Sequence, residues 1–419
     1  MTVVLVVLLV ALALVGMPLF VALAGGSLLA TWNAGLDPAL LAVELNRLAS
    51  SPYLAAIPLF TFSGVVLAAG GAPQRMIGLF NALVGWLPGG IAAVTLTSCA
   101  FFTAFSGASG VTILALGGLM MPLLLHAGYR ERFNLGLLTT SGSLGLLFPP
   151  SLAILLYGIV AGVSIDQLFL AGIVPGLLLM LILGMYCLYA CNKSGAQRQR
   201  FSLRTLARAA RAGIWDILLP VGVLLGIFGG FVTISEASAC TAAYVLLLEC
   251  LIHRELSLRR DLPGLLRDAA ILVGSILIIL SVAMGLTNLL IDAQIPMQLL
   301  GWMETHIDSK LQFLVLLNVF LLVVGCMMDI FSATVVVVPL ILPIARNYGI
   351  DPIHLGIIFL ANLEIGYSTP PVGINLFIAS QRFRRPVLLL FNSALPFLLL
   401  MLLWLVIITY VPAFTLWWR

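Results

Sequence analysis

The chain consists largely of apolar runs, each about as long as a lipid bilayer is thick. Separated by turn residues or charges, they fall at about 2–24, 53–72, 77–101, 134–163, 166–191, 214–231, 234–252, 268–291, 311–326, 352–380 and 386–412. One helical crossing needs about 20 mostly apolar residues. Because 62% of the 419 residues are apolar and only 9% are charged, the chain lacks the polar side chains that would cover a water-facing surface. We therefore predict an all-α polytopic membrane protein of roughly ten to twelve crossings, with no soluble catalytic domain.

The basic residues indicate how the chain is oriented. Six of the 20 basic residues lie between Lys193 and Arg211, where no acidic residue occurs. By the positive-inside rule, segment 192–213 is a basic cytoplasmic linker and gives no reason to expect a nucleic-acid partner. Residues 1–24 contain no basic residue, so we expect an uncleaved first span there rather than a signal peptide.

Two further apolar runs are interrupted by small and polar residues and predict re-entrant hairpins. Residues 102–127 contain the sequence FSGASG, and residues 327–348 contain Asp329 and Ser332. A non-helical hairpin tip is tolerated at membrane depth only where protein or water covers it.

An internal repeat relates the two halves of the chain. The matching positions are Pro122, Gly128, Gly136, Gly145 and Pro149-Pro150 in the first half, and Pro343, Gly349, Gly356, Gly366 and Pro370-Pro371 in the second. We predict one repeat over 1–191, with hairpin 102–127 and broken helix 134–163, and another over 214–419, with hairpin 327–348 and broken helix 352–380. Transporter repeats of this kind are commonly inverted in the membrane. Counting crossings through 214–267 fits an inverted repeat only if one segment there is not a full span.

The Gly-x-x-x-Pro-Pro step in each broken helix points to a binding site. It removes two backbone donors and prevents helix at the residue before the prolines. Freed carbonyls at mid-bilayer are costly unless something binds them, and hard cations such as Na⁺ are well satisfied by carbonyl and hydroxyl oxygens. A simple proline kink is the alternative, but two equivalent steps, each following a hairpin, favour a site.

Carboxylates inside apolar runs are further candidates because their burial is expensive. Asp329, at the mouth of the second hairpin, is the best candidate for a charged cation ligand. Glu364 has no matching acid in the first repeat, so a structural hydrogen-bonding role explains it nearly as well. Glu236 opens a span after Ser235 and is also explained as a helix N-terminal cap.

The sequence Gly107-Ala108-Ser109-Gly110 matches the GxSG motif of rhomboid-type intramembrane proteases. A serine nucleophile needs a histidine base, and all four histidines fall at span ends or in loops. Tight hairpin packing explains the small residues better, so we predict that the protein is not an enzyme.

Several motifs resemble those of the large membrane (M) subunit of tripartite ATP-independent periplasmic (TRAP) transporters. They are GCMMD at 325–329, GIDP at 349–352, Asn362, and IGYSTPPVGINLF at 365–377. The likeness covers essentially the whole chain, including Pro149 to Ser151. Near Glu236 the family usually has a proline before the Glu-Ala pair, where this chain has Ile234-Ser235.

The resemblance implies an elevator-type secondary transporter, in which a transport domain of two hairpins and two broken helices moves against a scaffold. Carried over by position, two sites would bind the coupling Na⁺ ions. The first comprises Ser106, Gly145, Phe148 and Pro150, and the second Gly325, Asp329, Gly366, Thr369 and Val372. Substrate would lie between the hairpin tips near Ser109, Asn362 and Thr369. The scaffold arms would be Thr31 to Ser50 and Pro296 to Asp308.

The resemblance also implies a place in the bacterial cytoplasmic (inner) membrane and two partners. These are a small four-span membrane (Q) subunit and a periplasmic substrate-binding protein (P subunit). The substrate would be an organic acid, taken up with two or more Na⁺ ions. A stand-alone Na⁺/carboxylate symporter acting as a homodimer is the alternative, distinguished by working without partners.

Overall fold

The computed structural model describes residues 19–33, 53–87, 89–194, 202–292 and 309–419, with a few isolated residues between them. All regular elements in these ranges are helical, as predicted. The α-helices are α1 Leu19–Asn33, α2 Ala56–Ala69, α3 Ala72–Val84, α4 Gly90–Ser106, α5 Ser109–His126, α6 Glu131–Ser141, α7 Leu152–Ala161, α8 Ile165–Ser194, α9 Leu203–Phe228, α10 Ile234–Leu246, α11 Leu262–Asp292, α12 Lys310–Met327, α13 Ile330–Asn347, α14 Pro352–Gly366, α15 Ile374–Phe383 and α16 Val387–Tyr410. Within the described residues, eight helices are long and apolar enough to cross a membrane, or up to ten if each of two bent pairs counts as one span.

Helices α4 and α5 form the first hairpin, which begins earlier than predicted. Its tip is Gly107-Ala108, where Gly107 has a φ of +64° that favours glycine. The predicted hairpin 102–127 omitted most of α4, because the apolar run 77–101 hides a break in the helix. That run is divided between α3, which ends at Val84, and α4, which begins at Gly90.

Helices α12 and α13 form the second hairpin, with its tip at Met328-Asp329. The predicted hairpin 327–348 covers only the tip and the second arm. The run 311–326, predicted as a separate span, forms the first arm, α12, which is also long and apolar enough to cross a membrane.

Both broken helices are interrupted at the predicted Gly-x-x-x-Pro-Pro steps. In the first, α6 is followed by a 3₁₀ turn, Leu144–Leu147, and by α7, with a bend of 45°. In the second, α14 ends at Gly366 and α15 begins at Ile374. The Pro149-Pro150 and Pro370-Pro371 bonds are both cis. Every α14 residue from Ile353 to Gly366 is buried, so the second broken helix lies in the centre of the core.

Helices α2 and α3 meet at a 74° bend. The predicted linker 192–213 is shorter than expected, because α9 begins at Leu203 with a cap from the Ser202 side chain. The predicted scaffold arms, Thr31 to Ser50 and Pro296 to Asp308, lie almost entirely outside the described residues.

Candidate functional site

In each repeat, the hairpin packs against the broken helix at the point where that helix is interrupted. The residue of the broken helix at this contact is a glycine. A methyl group on Gly366 would lie 2.4 Å from the carbonyl carbon of Gly325 in α12. A methyl group on Gly145 would lie 2.3 Å from the amide nitrogen of Ala104 in α4. Ala104 and Gly325 occupy the same position relative to their hairpin tips. The two halves therefore build the same contact, at which backbone meets backbone without a side chain between.

The first predicted ion site lies at the contact between α4 and the first break. Ser106 is 4% exposed, and its hydroxyl lies 3.3 Å from the carbonyl oxygen of Ala108. In the break, the amide of Phe148 donates to the carbonyl of Gly145 at 3.1 Å, and the Phe148 carbonyl accepts from Ser151 at 3.0 Å. Each of these carbonyls keeps a second lone pair that can bind a cation.

The second predicted ion site lies at the contact between α12 and the second break. Besides the contact between Gly325 and Gly366, the amide of Val372 donates to the carbonyl of Cys326 at 3.2 Å. Thr369 donates its hydroxyl to the Ile365 carbonyl at 2.9 Å. Two of the predicted ligands, Gly366 and Val372, are thus held in place by contacts with the backbone at the end of α12.

Asp329 caps the second arm of the second hairpin. Its Oδ1 accepts hydrogen bonds from the amides of Phe331 and Ser332, both at 3.0 Å, and its Oδ2 accepts one from the Ser332 hydroxyl. Asp329 was predicted from the sequence only as a cation ligand, and its capping role was not predicted. Carboxylate oxygens have further lone pairs, so the two roles are compatible.

Ser109, at the tip of the first hairpin, is bonded to the second broken helix. Its hydroxyl donates to Oδ1 of Asn375 at 2.7 Å, and both side chains are buried. The partner of this serine is therefore an amide and not a histidine. The bond joins the two repeats, and no local sequence pattern around Ser109 or Asn375 predicts it.

The other two predicted substrate residues are not bonded to Ser109. Asn362 donates to Oδ1 of Asn318 at 2.7 Å and to the carbonyl of Ile358 at 2.8 Å. Its donors are therefore already used within the fold, while its own Oδ1 has no partner among the described residues. Thr369 lies in the second break, with the bond to Ile365 described above.

The two remaining acidic candidates have different surroundings. Glu364 is fully buried, and neither carboxylate oxygen has a hydrogen-bond partner among the described residues, so the expected structural bonds are absent there. Glu236 forms a capping box with Thr233 at the start of α10, so it helps to cap the helix as the sequence suggested, but from the N3 position, with Thr233 as the N-cap residue.

Sequence reasoning missed a buried charge network around Arg75. Its guanidinium pairs with Asp216 at 2.8 Å, Glu249 at 2.5 Å and Glu255 at 2.6 Å. These pairs join α3 to α9, to the π-helical turn Leu247–Ile252 that follows α10, and to the loop after that turn. Burial raises the pKa of Glu255, but the hydrogen bond and the charge of Arg75 outweigh this effect and hold the pKa below its usual range. The three acids lie 141, 174 and 180 residues from Arg75, so no local motif marks the network.

Comparison with known proteins identifies the family. The model of the tripartite ATP-independent periplasmic transporter DctM component matches residues 3–414. The C4-dicarboxylate TRAP transporter large permease DctM of Pseudomonas aeruginosa is 37% identical over 90% of this chain and 88% of its own length. The corresponding permease of Rhodobacter capsulatus is 35% identical over 98% of this chain and 96% of its own. The isethionate TRAP transporter permease DctMQ of Oleidesulfovibrio alaskensis is 37% identical over 95% of this chain, which spans 63% of that protein's length.

The fold also has a solved counterpart. The crystal structure of the Alcanivorax borkumensis YdaH transporter, described as having an unusual topology, superimposes with a TM-score of 0.63. The match covers 89% of this chain and 87% of that chain at 15% sequence identity. Together with the family match, these relatives show that the chain belongs to the DctM (large permease) family of TRAP transporters, and so is a secondary transporter of the inner membrane and not an enzyme.

Proposed function

We propose that this permease takes up an organic acid by coupling it to the inward movement of Na⁺. The observation that supports the proposal is the close contact between hairpin and broken helix, which occurs once in each repeat. Gly145 packs against the backbone of Ala104 in the first, and Gly366 packs against the backbone of Gly325 in the second. Each contact sets unwound backbone carbonyls beside a hairpin tip in the interior of the protein. Unwound carbonyls at such breaks are a recurrent way for transporters to coordinate Na⁺.

The chemistry of the two ligand sets suits a monovalent hard cation. The first set, at Ser106 and the 145–150 break, offers only neutral carbonyl and hydroxyl oxygens. The second set adds a single carboxylate, Asp329. Ca²⁺ sites in proteins commonly use several carboxylates, so these sets are better matched to Na⁺.

Two ions of this kind would supply the energy for uptake. Moving one charge through 100 mV provides about 2.3 kcal/mol, so two or more Na⁺ ions support substantial accumulation of an anionic substrate. We further propose that the two hairpins and broken helices move together against the rest of the protein, as in elevator transporters. Gly145 and Gly366 each lie at a proposed ion site where a hairpin packs against a broken helix. An ion bound there would contact both elements and would hold the hairpin and the broken helix together as one rigid unit.

The relatives support a proposal for the substrate class and the partners. Large permeases named for C4-dicarboxylates, isethionate, ectoine and 2,3-diketo-L-gulonate lie among the similar proteins, and each of these compounds carries an acidic group. We propose an organic acid for this chain, with a small four-span subunit and a periplasmic binding protein as partners. The stand-alone symporter is not favoured, because the similar proteins are permeases of TRAP systems.

The ion sites are tested by two isosteric variants, Asp329→Asn and Thr369→Val. Asparagine caps a helix about as well as aspartate, so Asp329→Asn removes a charge while keeping the cap of α13. We expect both variants to insert normally into membranes and to lose Na⁺-driven uptake. Thr241→Val is the matched control, because the buried Thr241 makes the same bond to the carbonyl four residues earlier but lies in α10. Unchanged uptake in both variants would overturn the second ion site.

The partners are tested by a pull-down in mild detergent, with mass spectrometry of the proteins that co-elute with the tagged chain. Recovery of a small multi-span protein in equal amount is expected. Recovery of this chain alone, or only with itself, would contradict the tripartite arrangement.

A further inference from the structure

Helix α9 carries all of its basic residues on one face. Arg204, Arg208 and Arg211 follow one another at spacings of four and three residues, so they project from the same side of the helix. All three are exposed, and none of them forms an ion pair in the part of the chain that the structure describes. Because they belong to the basic linker region, this end of α9 lies at the cytoplasmic surface by the positive-inside rule.

The same face of α9 becomes apolar where the helix enters the membrane. Trp215, Leu218 and Gly222 continue the helical spacing beyond Arg211 and therefore lie in line with the three arginines. Trp215 is 41% exposed and Leu218 is 48% exposed. Tryptophan is enriched where membrane meets water, which is the place of Trp215 between the arginines and the apolar residues. The basic face thus runs directly into an exposed apolar face.

This apolar face forms one wall of a groove between α9 and α10, with a volume of about 300 Å³. The groove is open at Gly222, since a methyl group on this residue would have no described atom within 4 Å. The wall from α10 includes Cys240 and Tyr244. The Tyr244 hydroxyl donates to the carbonyl of Trp215 at 2.9 Å, so the cytoplasmic end of the groove lies one helical turn from Arg211.

We propose that this face and groove bind an anionic phospholipid of the cytoplasmic leaflet. The arginines hold the lipid phosphate, for which guanidinium groups are well suited, and an acyl chain lies in the groove. The dimensions agree with this assignment. At a rise of 1.5 Å per residue, Leu218 and Gly226 lie about 10 and 23 Å beyond Arg211 along α9, within a hydrocarbon core of about 30 Å.

Charge favours a lipid over the other possible occupant of the groove, an apolar helix of a partner subunit. The three arginines at the mouth of the groove have no anionic partner among the described residues. A phospholipid supplies the negative charge and the apolar chain in one molecule, in the order in which the basic face and the groove follow each other along α9. The inference does not depend on Na⁺ coupling or on the transported substrate.

The charge is tested by the triple variant Arg204→Gln, Arg208→Gln, Arg211→Gln. The probe is dioleoylphosphatidylglycerol, and its apparent dissociation constant is measured by native mass spectrometry of the full-length chain, purified in detergent with any subunit that accompanies it. We expect the dissociation constant to rise about 10- to 100-fold, because three arginines no longer attract the anionic headgroup. Binding of dioleoylphosphatidylcholine, which carries no net charge, should not change.

The matched control is the triple variant Arg254→Gln, Arg259→Gln, Arg260→Gln. It removes the same charge from exposed positions in the loop that precedes α11. It should bind phosphatidylglycerol like the unmodified protein. Equal losses of affinity in the two triple variants would show a general attraction to basic residues and would overturn the site.

The groove is tested by Gly222→Leu, which fills it and leaves the arginines in place. We expect the dissociation constant for phosphatidylglycerol to rise at least 10-fold, with a melting temperature in lipid-free detergent no lower than that of the unmodified protein. Gly184→Leu in α8, where a methyl group also has no described atom within 4 Å, should leave lipid binding unchanged. Wild-type affinity in Gly222→Leu would overturn the proposal, and loss of an accompanying subunit from that variant alone would assign the groove to a partner helix instead.

Discussion

Arg75 lies at the centre of a network of buried charges. Its side chain is 9% exposed, and those of Asp216 and Glu249 are 1% and 0% exposed. The guanidinium forms a bidentate pair with Asp216, through Nε at 2.8 Å and Nη2 at 2.9 Å. Removing one partner of a buried pair leaves an uncompensated charge, which costs far more than the pair itself contributes.

Substitution Arg75→Met should therefore destabilise the protein strongly. We expect a loss of about 3–5 kcal/mol, because the two buried carboxylates of Asp216 and Glu249 lose the guanidinium with which they pair. The measurement is the melting temperature of the purified protein in detergent. Arg385→Gln is the control, because Arg385 and Glu131 are about half exposed and such a pair contributes about 0–1 kcal/mol. Equal shifts in the two variants would show that the Arg75 network is not essential to the fold.

At the residue scale, local chemistry was predictable from the sequence and long-range pairing was not. The polarity of Asp329 and Ser109 within apolar runs marked them as candidates. Their actual partners differ: Asp329 bonds within its own helix turn, whereas Ser109 reaches Asn375, which lies 266 residues away. Hydrogen bonds between repeats depend on how the repeats are packed, which no local pattern encodes.

At the scale of elements, a break in a helix leaves a signal in the sequence and a hairpin tip does not. The Pro-Pro steps interrupt helices by a local steric rule, and in the structure a new helix begins after each of them, at Leu152 and at Ile374. No comparable steric rule locates a hairpin tip inside a continuous apolar stretch. The signal that was available for the first hairpin is the turn sequence GWLPGG at 85–90, which separates α3 from α4.

The contacts between hairpins and breaks predict the effect of two glycine substitutions. Gly145→Ala and Gly366→Ala each place a methyl group within 2.4 Å of backbone atoms, which cannot move as a side chain can. We expect each to lower stability by more than the roughly 1–3 kcal/mol typical of overpacking, measured as the melting temperature in detergent. Gly274→Ala, where nothing lies within 4 Å, should be neutral or slightly stabilising. Wild-type stability in Gly145→Ala and Gly366→Ala would show that the contacts are looser than described.

For the whole molecule, two tertiary contacts indicate how the hairpins face the membrane. Glu131, which follows the first hairpin, pairs with Arg385, 2.6 Å apart, and Arg385 belongs to the basic cluster Arg382, Arg384 and Arg385. Lys310, which opens the second hairpin, donates to the carbonyl of Gly349 at its other end, at 3.0 Å. Because basic clusters tend to face the cytoplasm, we expect the first hairpin to open to that side and, if the repeats are inverted, the second to open to the periplasm.

Cysteine labelling tests this arrangement. In a background whose six native cysteines are replaced, Arg130→Cys should react with a membrane-impermeant maleimide only after cells are opened. Lys310→Cys should react in intact spheroplasts, and both residues are exposed. Labelling of both from the same side would contradict the inverted repeat.

The central claim is that two ion sites, one in each repeat, couple Na⁺ to uptake by this TRAP permease. The most direct measurement is the rate of succinate uptake into proteoliposomes holding the chain and its partners, as external Na⁺ is varied at constant ionic strength and pH. The account predicts a sigmoidal dependence with a Hill coefficient above one and no uptake without Na⁺. Uptake of equal rate in Na⁺-free medium would contradict it.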